Sequence, residues 1–135
     1  TPIDEWKMLD IRQKVFMIEQ NIPYAEDALL KEEMESKSFL ICLNEEAIGT
    51  IRYRVVEEGI KIERFAILKE FRGKGYGKEA FMFLVDYIAG KYNPCRIFFH
   101  SQYYIKELYE KMGFITDGEP FVEAGIKHIK MYKDF

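Results

Sequence analysis

The apolar positions of this chain change period several times, and each change marks an element. Over 6–20 (WKMLDIRQKVFMIEQ) Met8, Ile11, Val15 and Ile18 recur at helical spacing, with Trp6 and Leu9 beside them. This predicts an amphipathic helix that ends before Pro23. A shorter, charged helix is expected over 25–36. The period then falls to two. SFLICL (38–43) predicts a strand, Asn44-Glu45-Glu46 a hairpin turn, and AIGTIRYRVV (47–56) a second strand, where Ile51, Tyr53 and Val55 alternate with Arg52 and Arg54. Glu57-Glu58-Gly59 turns the chain again before a third strand, IKIERFAIL (60–68). From Gly77 the helical period returns, with Ala80, Phe81, Leu84, Val85 and Ile88 on one stripe. Asn93-Pro94 ends that helix, CRIFFH (95–100) reads as a short buried strand, and YYIKELYEKM (103–112) as a helix closed by Gly113. Two late strands are expected around 114–118 and 126–133. The order predicts one α/β (α+β) domain over 1–135, with helices flanking a single mixed sheet.

Composition narrows the class. At 135 residues, 48% of them hydrophobic, the chain can bury one core but not two. A net charge of −3 gives no global basic field, and the tyrosines are not interleaved with a basic stripe, so neither nucleic acid nor membrane is an expected partner. No apolar run approaches the roughly 20 residues of a membrane span and no leader pattern is visible, so a cytoplasmic location is expected. Cys42 and Cys95 lie in apolar runs and read as buried reduced thiols; a disulfide or a reactive thiol are the alternatives. His100 and His128 with these two cysteines lack zinc-ligand spacing, so no metal is expected. A Cys95–His100 nucleophile pair would fall on opposite faces of one strand.

The stretch EFRGKGYGKEAF (70–81) carries glycine at positions 73, 75 and 77, laced with Arg72, Lys74 and Lys78. A glycine-rich turn between a strand and a helix leaves several backbone N–H groups unobstructed, and the helix adds partial positive charge. That nest suits a phosphate or diphosphate. Two familiar motifs fail by counting: three residues, not four, separate Gly73 from Gly77, and Glu79 follows Lys78; one residue, not two, precedes the last glycine. A nucleotide-binding protein using the same nest, or a plain turn with solvated charges, remains an alternative at this point.

Strand IERFAI followed by Arg72-x-x-Gly75-x-Gly77 at a helix start resembles the R/Q-x-x-G-x-G/A signature of the GCN5-related N-acetyltransferases. Downstream, LYEKMGF (108–114) is similar to that family's frequent "lYeklGF". VFMIEQNIP (15–23) and GEPFVEAGIKHIKM (118–131) further resemble the ElaA-like subgroup. The resemblance implies the family fold, with its opening strand missing or reduced here because only about ten residues precede Ile11. It also implies acetyl-CoA as donor, a primary amine of a small molecule as acceptor, direct attack, and a possible homodimer. The same fold kept as a non-catalytic acyl-CoA-binding or sensing module is the rival reading.

What the resemblance implies for single residues can be stated position by position. Amides of Gly73, Lys74, Gly75, Tyr76, Gly77 and Lys78, with the Arg72 side chain, would hold the diphosphate. Backbone groups of Phe65, Ala66 and Ile67, at a bulge late in the strand before the glycines, would align the pantetheine arm and polarise the thioester. Gln102, seven residues before Tyr109, takes the place of an asparagine that contacts that arm. Tyr109 matches the general acid and Glu63 a carboxylate base; a Tyr109 ring that only packs with Phe114, and a Glu63 that is solvated or paired with Arg52 or Arg54, are the alternatives. Glu19, Glu123 and His128 would line the acceptor pocket, and a neutral His128 imidazole is able to accept a proton.

Overall fold

A computed structural model describes residues 15–20 and 36–135 of the chain. Seven strands form one sheet: β1 (Val15–Gln20), β2 (Ser36–Leu43), β3 (Glu46–Val55), β4 (Ile60–Ile67), β5 (Arg96–Gln102), β6 (Ile115–Glu123) and β7 (Ile126–Asp134). Among the described residues two helices accompany them, α1 (Tyr76–Lys91) and α2 (Lys106–Glu110), the latter entered through a single 3-10 turn at Tyr103–Ile105. The spatial order is β1-β2-β3-β4-β5-β7-β6, and every neighbouring pair is antiparallel except β4 with β5. This is the expected single mixed sheet with flanking helices.

The hairpin strands form where alternation predicts them. Asn44 and Glu45 both take positive φ, the tight two-residue turn whose twist matches antiparallel strands. On one sheet face Phe39, Ile41, Ile51, Tyr53, Ile60, Ile62, Ile97, Phe99, Ile129 and Met131 are buried. Against them α1 lays the stripe read from the sequence, Ala80, Phe81, Leu84, Val85 and Ile88, all buried. Full burial of a side chain such as Leu84 or Ile88 contributes about 1.5–3 kcal/mol, which anchors α1 far more strongly than its intrinsic propensity. Arg52, Arg54, Lys61 and Glu63 project from the opposite face.

Two segments differ from their sequence expectation. Val15–Gln20, read as the end of a helix, is an edge strand paired with β2 from Val15↔Leu43 to Gln20↔Ser38. VFMI satisfies both periods over so short a run, and the open edge of β2 supplies backbone partners that decide for the strand. The opening strand, which the family resemblance implied to be missing or reduced, is present as these six residues, and it is formed by residues assigned to the helix. Residues 6–14 and all but the last residue of the helix expected over 25–36 lie outside the described residues; Ser36 itself opens β2. At the other edge, β6 does not stop at Gly118 but continues to Glu123. Gly118 takes φ 82°, and the register with β7 shifts between Asp117 and Phe121. An edge strand absorbs Gly118 and Pro120 in a bulge because a missing N–H there breaks no internal ladder. The helix expected over 103–112 is shorter, with its first turn 3-10.

Candidate active site

The site exists because two parallel strands part. β4 and β5 pair only at Ile60↔Ile97 and Lys61↔Phe98, then diverge towards their C-terminal ends. The opening is a cavity of about 470 Å³ that passes between the two faces of the sheet. Along one wall run Lys61 to Ile67, and along the other Phe99 to Gln102, with Arg72 at one end and Glu123 and His128 at the other.

A bulge shapes the β4 wall. Thr50 pairs with Ala66 but Arg52 pairs with Glu63, so Arg64 and Phe65 stand opposite Ile51 alone. Arg64 takes φ 51°, a left-handed value uncommon outside glycine, asparagine and aspartate. The extra residue flips the alternation: Ile60 and Ile62 face α1 before it, and Phe65 and Ile67 do so after it. Phe65 then stacks on Phe81 with ring centroids 6.1 Å apart. The sequence placed the irregularity at Phe65–Ile67; its strained residue is Arg64, which no periodicity marks. Gly49 permits this geometry, since a Cβ there would sit 2.4 Å from the Ala66 carbonyl oxygen.

After β4 a 3-10 turn at Lys69–Phe71 leads into the glycine loop. Gly73 and Gly75 take φ 74° and 87°, and a Cβ at either would meet nothing within 4 Å, so backbone conformation rather than crowding requires glycine there. Gly75 is the N-cap of α1, and no side chain caps the helix. The first-turn amides of Tyr76, Gly77 and Lys78 therefore present the donors that a helix start leaves without intrahelical acceptors. Lys74, Lys78 and Arg72 are exposed around them. Arg72 Nε donates to the Ile67 carbonyl at 2.8 Å, tying the loop to the end of β4. Open amides, open space and cations fit a diphosphate. The glycines lie beside the Arg72 end of the cavity rather than on its wall.

Tyr109 lines the cavity from α2 and is 7% exposed. Its ring packs against Phe99 at 4.6 Å and Phe81 at 4.9 Å between centroids, and Phe114 closes the cluster through those same two rings. Gly113, at φ 94°, turns the chain so that the Phe114 N–H donates to the Tyr109 carbonyl at 3.1 Å. This explains the spacing of LYEKMGF physically. Burial pushes the Tyr109 phenol above its ordinary value, which keeps it a proton donor at neutral pH.

Glu63 lines the cavity but is heavily engaged. Its Oε2 accepts from Arg52 Nε at 2.9 Å and from an Arg52 terminal nitrogen, and Oε1 accepts from Arg54 at 3.3 Å. Lys61 stands 3.9 Å away. Arg52 is itself buried, and a buried guanidinium needs this carboxylate to offset its desolvation. Gln102, Glu123 and His128 line the cavity, whereas the side chain of Glu19, in β1, lies outside the described residues. His128 Nδ1 meets the Ile126 carbonyl at 2.8 Å, so that nitrogen carries the proton and Nε2 is left as acceptor. His100, which the sequence treated only as an unsuitable metal ligand or thiol partner, also lines the cavity, with Nδ1 3.0 Å from Glu123 Oε2. Cys42 is buried and Cys95 only half-buried, and neither takes part in a disulfide. Among the described residues no cluster of three or more His, Cys, Asp or Glu forms a metal site, and no helix is long and apolar enough to cross a membrane.

Comparison with known proteins decides the family. Residues 12–135 match the model of the acetyltransferase (GNAT) domain. The chain belongs to the GNAT superfamily. Bacillus subtilis YjcF, described as an uncharacterized N-acetyltransferase, is 30% identical over 92% of this chain and 88% of its own. Escherichia coli ElaA superposes with a TM-score of 0.71 at 14% identity, over 88% of this chain and 99% of ElaA. A GNAT family acetyltransferase from Elizabethkingia anophelis with acetyl-CoA bound superposes with a TM-score of 0.67 at 18% identity, over 90% of this chain and 99% of its own. The protein is an acyltransferase, and its fold is consistent with the ElaA-like subgroup.

Proposed function

We propose that this GNAT protein takes acetyl groups from acetyl-CoA and transfers them to a primary amine of a small molecule by direct attack. The observation that carries the reading is continuity. One cavity runs from Arg72, beside a helix start that no side chain caps, past the β4 bulge and Tyr109 to the imidazoles of His100 and His128. The likeness to a fold that holds acetyl-CoA in the Elizabethkingia protein supports the donor. A cavity of this size suits a small amine at its far end.

Bound acetyl-CoA would supply an activated thioester; the remaining work falls to the chain. The amides from Gly73 to Lys78, with Arg72, Lys74 and Lys78, hold the diphosphate by charge-assisted hydrogen bonds. Backbone groups of Phe65, Ala66 and Ile67, on the side of β4 that the departing β5 leaves without pairing, align the pantetheine arm and face the thioester carbonyl, with Gln102 across the cleft. Tyr109 gives its proton to the departing thiolate. Glu123 and His128 face the acceptor, and the resemblance assigns Glu19 to the same pocket. Glu63 is the resemblance's candidate for the proton acceptor, and its guanidinium partners make it the weaker one, because Arg52 and Arg54 already occupy both of its oxygens.

The test is release of free thiol from acetyl-CoA in the presence of a panel of amines. Turnover is expected, with kcat lowered about 10²-fold in Tyr109→Phe and KM little changed, as loss of a general acid predicts. Tight coenzyme A binding without turnover on any acceptor would instead favour the acyl-CoA-binding module, and ATP or GTP competing at equal affinity would overturn the role given to the glycines.

A further inference from the structure

His100 has no part in the roles above, yet it stands at the acceptor end of the cavity with a carboxylate behind it. The two residues come from β5 and β6, separated in the sheet by β7, so the Glu123 side chain reaches across a strand to meet the ring. An ionised carboxylate only accepts hydrogen bonds, so the Nδ1 atom 3.0 Å from Glu123 Oε2 carries the proton, and Nε2 of the neutral ring holds a lone pair. Phe121 meets the His100 ring edge-on at 5.0 Å and stacks on His128 at 6.1 Å, limiting the rotation of both. The bulge at Gly118–Pro120 sets this arrangement, since it brings Phe121 opposite His128 and carries Glu123 to the cavity.

We propose that His100 and Glu123 form the device that deprotonates the acceptor, His100 Nε2 taking the proton and Glu123 positioning the ring. The inference rests on the acetyl-transfer reading and completes it. One proton of the ammonium passes to His100 Nε2, which later returns it to solvent. The freed lone pair forms the carbon–nitrogen bond as the carbon–sulfur bond breaks. Tyr109 protonates the thiolate and recovers a proton from the newly bonded nitrogen, leaving a neutral amide and a free thiol.

Two features favour His100 over its neighbours. The Glu63 carboxylate is spent on Arg52 and Arg54, whereas the Glu123 carboxylate is directed at an imidazole, the side chain suited to proton transfer near neutral pH. His128 has a backbone carbonyl behind it rather than a charge. The other charged groups on the β4 and β7 walls of the site are Lys61, Glu63 and Arg64 on β4 and Lys130 on β7, the last held by Glu58 and Asp117. Glu123 is held below the ordinary carboxylate range, first by its hydrogen bond to His100 and further by His128 and Lys61, so it stays ionised where the enzyme would work.

The experiment compares two amines of similar size: propylamine, protonated at neutral pH, and methoxyamine, which is not. With propylamine, His100→Gln should lose about 10²-fold in kcat/KM at pH 7, and the loss should shrink as pH rises towards the amine's own ionisation. With methoxyamine the same variant should lose little. Glu123→Gln should move the acid limb of the wild-type profile to lower pH, and Glu123→Asp should partly restore it. Independently of any acceptor, 15N-histidine spectra should show His100 protonated on Nδ1, and this chain has only two histidines to assign. A proton on Nε2 alone, an equal loss with both amines, or an effect carried by His128→Gln in place of His100→Gln would overturn the proposal. No wild-type turnover with either amine would contradict acetyl transfer itself; a wild type that turns over beside an unimpaired His100→Gln would contradict this inference alone.

Discussion

Tyr109 and Glu63 show why residue type alone does not assign a role. Both match family positions and both line the cavity. Tyr109 is enclosed by Phe81 and Phe99, and burial favours its protonated form, as a proton donor requires. The folded chain therefore binds that proton more tightly than the unfolded chain. Its contribution to stability is complete below the ordinary tyrosine value of 10.0 and is lost as pH rises through the raised folded value. Tyr109→Phe removes this linkage, so thermal denaturation as a function of pH should show the variant keeping more of its neutral-pH stability than wild type above about pH 10. A variant that loses stability in step with wild type across that range would contradict the burial argument. Glu63 was legible as a cavity residue, and its two guanidinium partners follow from the β3–β4 hairpin register, which runs unbroken from Val55↔Ile60 to Arg52↔Glu63. His100 left no usable signal, because its partner Glu123 becomes a neighbour only through the non-sequential order β5-β7-β6.

Among elements, the glycine loop and α1 were the most legible, since their chemistry is local: positive φ, a helix start and an apolar stripe are all written within twenty residues. Glycine's reason differs within the loop, and this separates two variants. At Gly75 the left-handed backbone disfavours any side chain, at a cost of about 1–2 kcal/mol. At Gly77 a Cβ would meet Phe65 Cζ at 3.4 Å and Ile67 Cγ1 at 3.5 Å, ordinary contacts. Gly75→Ala should therefore weaken coenzyme A binding roughly 10-fold, by that strain, while Gly77→Ala should bind nearly as wild type; calorimetric titration checks both. Equal losses would mean that crowding by the ligand, not backbone conformation, sets the requirement. β1 and β6 were less legible for a physical reason. VFMI fits helix and strand alike, and Gly118 with Pro120 reads as a break unless the strand is known to lie at an edge. β2, about twenty residues on, made the choice for β1, and the hairpin with β7 made it for β6.

At the scale of the whole molecule, hairpins build one half of the sheet and the β5-β7-β6 group the other, and the two meet at the short parallel contact of β4 with β5. That contact is too short to close the sheet, so a cleft opens where β4 ends, beside the start of α1. Mixed topology was predictable from the order of elements, whereas the length of the parallel pairing was not, because nothing in either strand's sequence states where its partner departs. The divergence makes one site from residues as distant in sequence as Arg72 and His128. In the proposed reading its use depends on the α1 amides being occupied by a diphosphate. The most direct test is a titration of 15N-labelled protein with coenzyme A and, separately, with pantetheine, which lacks the diphosphate. Amide signals of Gly75, Tyr76, Gly77 and Lys78 should shift strongly with coenzyme A and scarcely with pantetheine. If they stay unmoved by coenzyme A while it binds, or move equally with both, the ligand is held elsewhere and the account is wrong.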